Sequence, residues 1–339
     1  MTFAEVAVEE AVGALAVHTI RTAGVTVKKG AVLSREAVEA LRGAGIGRVM
    51  AARLEDGDVA ENEAAGRLVA AVAGPGLRIE APFTGRSNLF AERPGLLVLD
   101  ATRIDAINAV DETITLATLP AYKPVVAGEM VATVKIIPYA VPGETLRRAL
   151  AEASAPPLRI APYRRRRIGV VSTTLPGLKP ATIDKTLAVL AARLEPANAT
   201  IETAVHCAHA TSALRGALLR LDTGSLDLVV VFGASAIADR RDVIPAAIEA
   251  AGGAVEHLGM PVDPGNLLLV GRLGDLPVVG APGCARSPKE NGFDWVLQRL
   301  LADLPVTGRD IAGMGVGGLL MEIVSRGQPR DGGEPEDDE

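Results

Sequence analysis

Three short turns in the second half of the sequence hold the residues best suited to gripping an anion. In FGASAIADRRDVIP a strand-like run ends in Gly233, Ala234, Ser235 and Ala236, small residues that let backbone N–H groups approach a negative charge. A helix is expected to start at Asp242, which reads either as its N-cap or as a carboxylate for a metal or a substrate. In MPVDPGN, Pro264 and Gly265 suit a tight turn. In GAPGCARSPKENGFDW, Pro282, Gly283 and Cys284 precede Arg286 and Lys289, and a helix is expected from about Pro288. A helix N-terminus alone favours an anion by only ~0.3–1 kcal/mol at an exposed site. Charge-assisted bonds from Arg286 would add more. The alternative makes Arg286 a solvated residue at a helix start and Cys284 a small packing residue.

Such turns need a sheet that brings them to one edge. From RIGVVST onward the pattern alternates strand and helix: a helix over Ile183 to Leu194, TIETAV, a helix over Thr211 to Leu221, and LDLVVVFG. A helix over Asp242 to Ala251, AVEHL, the hairpin-like NLLLVGRLGDLPVVG and a helix over Pro288 to Leu304 follow. That order predicts an α/β fold, a three-layer, mostly parallel sheet with one antiparallel edge. In such sheets ligands bind beyond the carboxyl ends of the strands, where the three turns fall.

The first half predicts a second α/β domain over residues 1–160. It has a strand-like TVKKGAVL, a helix capped by Ser34, a helix from Val59 to Ala73, the strand GLLVLD, a helix from Thr102 to Glu112, and strands TITLATL and EMVATVKIIPYAV. Lys135, in the last of these, could reach a pocket but reads first as a solvent-facing lysine. The junction is placed at Ala155 to Arg166, with Arg164 to Arg167 as a solvated basic linker. The second domain is expected over 165–325 and an acidic, disordered tail over 326–339.

Composition narrows the function. Five Phe, three Tyr and one Trp in 339 residues leave the cores to Ala, Val, Leu and Ile, as in a sheet buried on both faces. DGGEPEDDE at the end carries six acids and no base and so accounts for the whole formal net charge of −6. The body is then neutral and lacks the footprint of a nucleic-acid binder. MTFAEVAVEEAVGALAVHTI has acids and no basic region before its apolar stretch, unlike a secretory signal, and the longest uncharged apolar run, LVVVFGASAIA, is too short for a membrane helix. A cytoplasmic protein with no membrane partner is expected, its Cys207 and Cys284 both thiols. His206, Cys207 and His209 are too few for structural zinc, and GMGVGG lacks a following βαβ unit. Ser235 in GASAI lacks the second glycine of a nucleophile elbow.

The segment RRDVIPAAIEAAGGAVEHLGMPVDPGNLLLVGRLGDLPVVGAPG resembles the molybdopterin-binding domain shared by molybdopterin molybdotransferases and adenylyltransferases, over about Arg167 to Leu304. Asp184 stands where that family places an Asp after its first strand. The sequence departs from the family at Thr173-Thr174-Leu175-Pro176, where two carboxylates are lost, at Gly233-Ala234 for Gly-Gly, at Asp263-Pro264-Gly265-Asn266 for Lys-Pro-Gly-Lys, and at Ala281 to Ala285 for Leu-Pro-Gly-Asn-Pro. The whole chain is similar to the first module of bifunctional proteins that join this domain to a molybdenum-cofactor cytidylyltransferase. The resemblance implies a homo-oligomeric protein of molybdenum-cofactor biosynthesis that binds a molybdopterin-type phosphorylated pterin and transfers molybdate or a nucleotidyl group. It implies phosphate on Gly233 to Ala236, and Mg²⁺ on Asp242 with Asp184 or Asp239, with Asp242 and Asp184 catalytic. The alternatives are a non-catalytic carrier serving a separate cytidylyltransferase, and a hydrolase of a nucleotide-containing metabolite.

Overall fold

No residue of LVVVF is exposed, because its alternate side chains enter two different cores. Leu228, Val230 and Phe232 pack into one, and Val229 and Val231 into the other. A strand buried on both faces is the signature of a parallel sheet covered by helices on each side. The computed structural model describes residues 1–320. The chain divides into two units, Met1–Pro162 and Tyr163–Glu339. The expected acidic tail over 326–339 lies outside the described residues.

The second unit contains β1 (Arg167–Thr174), α1 (Pro180–Leu194), β2 (Thr200–Ala208), α2 (Thr211–Leu219), β3 (Leu228–Phe232) and α3 (Val243–Ala250). It continues with β4 (Ala254–Leu258), β5 (Leu269–Leu273), β6 (Leu276–Ala281) and α4 (Gly292–Leu301). The sheet order is β2-β1-β3-β6-β5-β4. The pairs β1–β2, β1–β3 and β3–β6 are parallel, while β6–β5 and β5–β4 are antiparallel. Helices α1 and α4 share a core with Ile168, Val170 and Val230, and α2 and α3 share the opposite one with Val171, Val229 and Val231. This is the three-layer, mostly parallel sheet with an antiparallel edge that the strand and helix order predicts.

The helix expected from Pro288 begins at Gly292, because Asn291 and Asp294 form a capping box: Asn291 Oδ1 accepts from Phe293 N at 3.1 Å and Asp294 Oδ2 accepts from Asn291 N at 2.9 Å. Residues Gly283–Arg286 form a short 3₁₀ turn before it. The arginine run is also no free linker. Asp227 accepts from the backbone N–H of Arg166 and of Arg167 at 2.8 and 2.9 Å and pairs with the Arg167 guanidinium at 2.9 Å. Arg165 donates to Asp227 O at 2.7 Å and to Asp303 Oδ1 at 2.8 Å.

The first unit mixes helices with sheets whose strand pairs are antiparallel. A four-stranded sheet runs in the order Ile114–Thr118, Met130–Ile136, Arg86–Ala91, Leu77–Ile79. The helix Glu61–Val72 buries Leu68, Val69 and Val72 in the same core as Leu89, Val134 and Ile136. A smaller core holds Leu33, Leu41 and Val49 around the helix Arg35–Gly43, whose N-cap Ser34 accepts from Ala37 N at 3.2 Å. EMVATVKIIPYAV is two strands, Met130–Ile136 and Ala140–Pro142, since Pro138 has no N–H to give to a ladder. The stretch Leu158–Pro162, expected within the junction, is a strand paired with Gly95–Leu99.

Candidate functional site

Strands β2 and β3 lie on opposite sides of β1, so the chain reverses its direction of travel across the sheet at β1. Open α/β sheets leave a crevice at such a switch point, outside the carboxyl ends of the two diverging strands. A cavity of about 260 Å³ sits there, lined by Ser172 and Thr173 from the end of β1, Leu178 of the following loop, Thr182, Ile183 and Thr186 of α1, Phe232 and Ala234 at the end of β3, and Arg286. Four of these side chains carry hydroxyls and one carries a positive charge. Such a lining suits an anionic, hydrogen-bonding ligand end.

Arg286 is half-buried, and neither a solvated helix-start residue nor a neighbour of the α4 N-terminus. Its Nη2 donates to Gly233 O at 2.8 Å, and its guanidinium lies 5.5 Å from the centre of the Phe232 ring. Burial pulls its pKa down from the ordinary arginine value. A cation withdrawn from water in this way gains more from an anion than an exposed one does. Arg286 also lines the cavity.

Thr173 organises the strand ends. Its hydroxyl accepts from Ala234 N at 2.8 Å and lies 2.8 Å from His209 Nδ1. One backbone N–H of the Gly233–Ala236 turn is therefore engaged by the protein itself. Gly233 is a glycine for lack of room, since a Cβ there would lie 2.6 Å from Ser235 O and 2.8 Å from Ile244 Cδ1. Ser235 and Ala236 are exposed.

The segment after β6 is shaped by a residue that the sequence pattern does not single out. Arg193, near the end of α1, donates to Ala285 O at 2.8 Å, Ser287 O at 2.6 Å and Lys289 O at 3.2 Å, and its Nε donates to Asp294 Oδ1 at 2.6 Å. This fork of donors ties three carbonyls of the turn to α1 and the first turn of α4, setting the path of the chain on either side of Arg286. Lys289 contributes a carbonyl to it, while the residue itself is exposed. Cys284 is half-buried, and burial pushes its thiol pKa up, as befits a packing residue.

The remaining site candidates are spread out. Gly265 is buried with φ +145°, and a Cβ on it would lie 2.8 Å from the backbone of Gly292, whose N–H donates to Pro264 O at 2.9 Å. The Pro264–Gly265 turn thus packs against the start of α4. Pro282 caps the short 3₁₀ turn that begins at Gly283. Asp242 is the N-cap of α3: Oδ1 accepts from Val243 N at 2.7 Å and Oδ2 from Ala238 N at 3.1 Å. Asp239 pairs with Arg241 at 2.6 Å, which holds its carboxyl below the usual range. Asp184 is an exposed residue of α1. None of these three carboxylates lines the cavity. Among the described residues no group of three or more His, Cys, Asp or Glu side chains is placed to hold a metal ion. The donor set that magnesium wants, carboxylates converging with open positions, does not match this arrangement.

Residues 168–302 match the family model described as the probable molybdopterin binding domain, and residues 5–53 match a domain of unknown function (DUF8806). No curated protein sequence matches the chain. Among solved structures, a molybdopterin biosynthesis MoeA protein from Pyrococcus horikosii is similar at 16% identity, covering 91% of this chain and 76% of its own, with a TM-score of 0.31. A molybdenum cofactor biosynthesis protein from Pyrococcus furiosus is similar at 12% identity, covering 92% and 65%, with a TM-score of 0.26. A molybdopterin biosynthesis protein from Mycobacterium abscessus is similar at 16% identity, covering 41% and 92%, with a TM-score of 0.27. No helix among the described residues is long and apolar enough to cross a membrane. Residues 168–302 are thus the part of the chain that is similar to the probable molybdopterin binding domain family.

Proposed function

We propose that the second unit binds a molybdopterin-type phosphorylated pterin and serves molybdenum-cofactor biosynthesis. The observation that carries this reading is the half-buried Arg286 facing a hydroxyl-lined cavity at the switch point, inside the segment that matches the family. At about 260 Å³ the cavity is smaller than the roughly 300–1,000 Å³ of pockets that enclose a whole ligand. It therefore takes one end of the pterin, the phosphate, with the ring system lying over the strand ends. Arg286 supplies the charge, and the hydroxyls of Ser172 and Thr182 supply short hydrogen bonds, while Thr186 donates its proton to Thr182 O and Thr173 is engaged by Ala234 and His209.

Between group transfer and carriage, the side chains favour carriage. Asp239 is neutralised by Arg241, Asp242 accepts backbone N–H groups on both oxygens, and Asp184 lies away from the cavity lining. The protein then holds the pterin and delivers it to a separate transferase, such as a cytidylyltransferase. Incubating the full chain with molybdopterin, MgATP and molybdate tests this. Carriage predicts tight binding with no adenylylated or metallated product. Product formed at the rate of an enzyme would establish transfer instead.

A further inference from the structure

The first unit contains a cavity larger than the switch-point one, about 680 Å³ against about 260 Å³, with positive charge on its walls. Lys29, Arg86 and Lys135 line it together with a single glutamate, Glu61. Lys135 is mostly covered, with 28% of its side chain exposed, and its ammonium donates to Thr84 O at 2.6 Å and lies 3.9 Å from Glu61 Oε2. An ammonium has three donors, and the carbonyl engages one of them. Burial holds Lys135 below the ordinary lysine range; Glu61 opposes this, and the charges of Arg86 and Lys29 add to it. The amino group of Met1 also lines the cavity, but Glu55 and Asp58 pair with it at 2.9 and 2.7 Å.

The turn that presents these groups is built around them. Thr84 has φ +44° and Gly85 φ +73°; the left-handed conformation costs Thr84 but not glycine. A Cβ on Gly85 would lie 2.4 Å from Glu61 Oε2 and 2.7 Å from Lys135 Nζ, so only glycine lets the ion pair close over the turn. The turn is pinned by Gly85 N, which donates to Asn62 Oδ1 at 2.7 Å, and by Ile136 N, which donates to Gly85 O at 2.8 Å. Its next residue is Arg86, at the cavity wall. Val17, Ile137 and Tyr139 add apolar surface to the lining, and the Tyr139 hydroxyl is fixed by donating to Val17 O at 3.0 Å.

Three cations and one carboxylate leave the lining with a net positive charge that favours an anion, and the volume suits a whole small molecule. We propose that this cavity binds a small organic phosphate, its phosphate among Lys29, Arg86 and Lys135 and its body against Val17, Ile137 and Tyr139. The site belongs to the first unit alone and does not depend on pterin binding by the second.

Titration calorimetry of the full chain with ATP and with pyrophosphate tests the assignment. ATP should bind, and more tightly than pyrophosphate, because its base can use the apolar wall. Lys29→Ala/Arg86→Ala should weaken ATP by about tenfold or more, the effect of losing charge-assisted contacts. Both replaced residues are exposed, so the double variant should melt like the wild type. If it does not, the two single variants carry the same comparison. Absence of binding at millimolar ATP and pyrophosphate, or equal affinity in the natively folded variants, would overturn the proposal.

Discussion

Arg193 and Asp294 are joined by an Nε–Oδ1 hydrogen bond of 2.6 Å between side chains that are only 9% and 12% exposed. The same guanidinium holds the carbonyls of Ala285, Ser287 and Lys289, and the same carboxylate caps α4. Removing one partner of a covered pair strands the other, at about 3–5 kcal/mol. Arg193→Met should therefore lower stability to urea by about that much and release the turn that carries Arg286. A loss below 1 kcal/mol would mean that the turn holds its shape without α1.

Lys289 and Arg286, close in sequence, should behave differently. Lys289→Ala should change stability within about ±0.5 kcal/mol, because its carbonyl, not its amine, is engaged in the fork. Arg286→Ala should cost about 1–3 kcal/mol, since Gly233 O loses its donor and Phe232 its cation. Parallel thermal and urea melts of the two variants check this.

Much of the second unit is legible in its residues. The doubly apolar runs GVV and LVVVF announce a parallel sheet, and Asp242 and Ser34 announce their helices, because these signals are local. Arg193 is not legible, since an arginine on an amphipathic helix looks the same whether it meets water or three carbonyls of a distant turn. The start of α4 was written in Asn291 and Asp294, three residues apart, but Pro288 offered a competing start. The burial of Arg286 depends on how β3 and the segment after β6 converge, which no local pattern records. In the first unit Thr84-Gly85-Arg86 looks like an ordinary turn until Glu61 and Lys135 are seen closing over it.

Asp242 should act as a cap. Asp242→Asn keeps an acceptor for Val243 N and should cost less than about 1 kcal/mol, while Asp242→Ala should cost roughly 1–2 kcal/mol. Neither should change the dependence of pterin binding on magnesium. A variant that folds normally and loses a magnesium requirement would return Asp242 to metal binding.

Asp227 gives the second unit a pH-dependent element of stability. The Arg167 guanidinium, with the backbone N–H groups of Arg166 and Arg167, holds its pKa at about 2 against an ordinary value of 3.8. A lowered folded-state pKa stabilises the fold above the unfolded value, and that stabilisation fades as pH falls through the folded value. Discounted for the half-exposed Arg167, the contribution is about 1–2 kcal/mol. Wild type should exceed Asp227→Asn by that margin at pH 7, and the two should converge between about pH 4 and pH 2. A constant difference across that window would place the effect elsewhere.

Under the proposed function Arg286 holds the phosphate of a pterin in the switch-point cavity. Anaerobic calorimetric titration of the full chain with molybdopterin, comparing wild type, Arg286→Ala and Lys289→Ala at low and high salt, decides whether it does. Loss of one charge-assisted contact should weaken Arg286→Ala by roughly 10- to 150-fold. Lys289→Ala should match the wild type, and the Arg286 effect should persist at high salt, because a half-buried charge is screened far less than a surface one. Equal affinity in a natively folded Arg286→Ala, or a loss seen only in Lys289→Ala, would contradict the account.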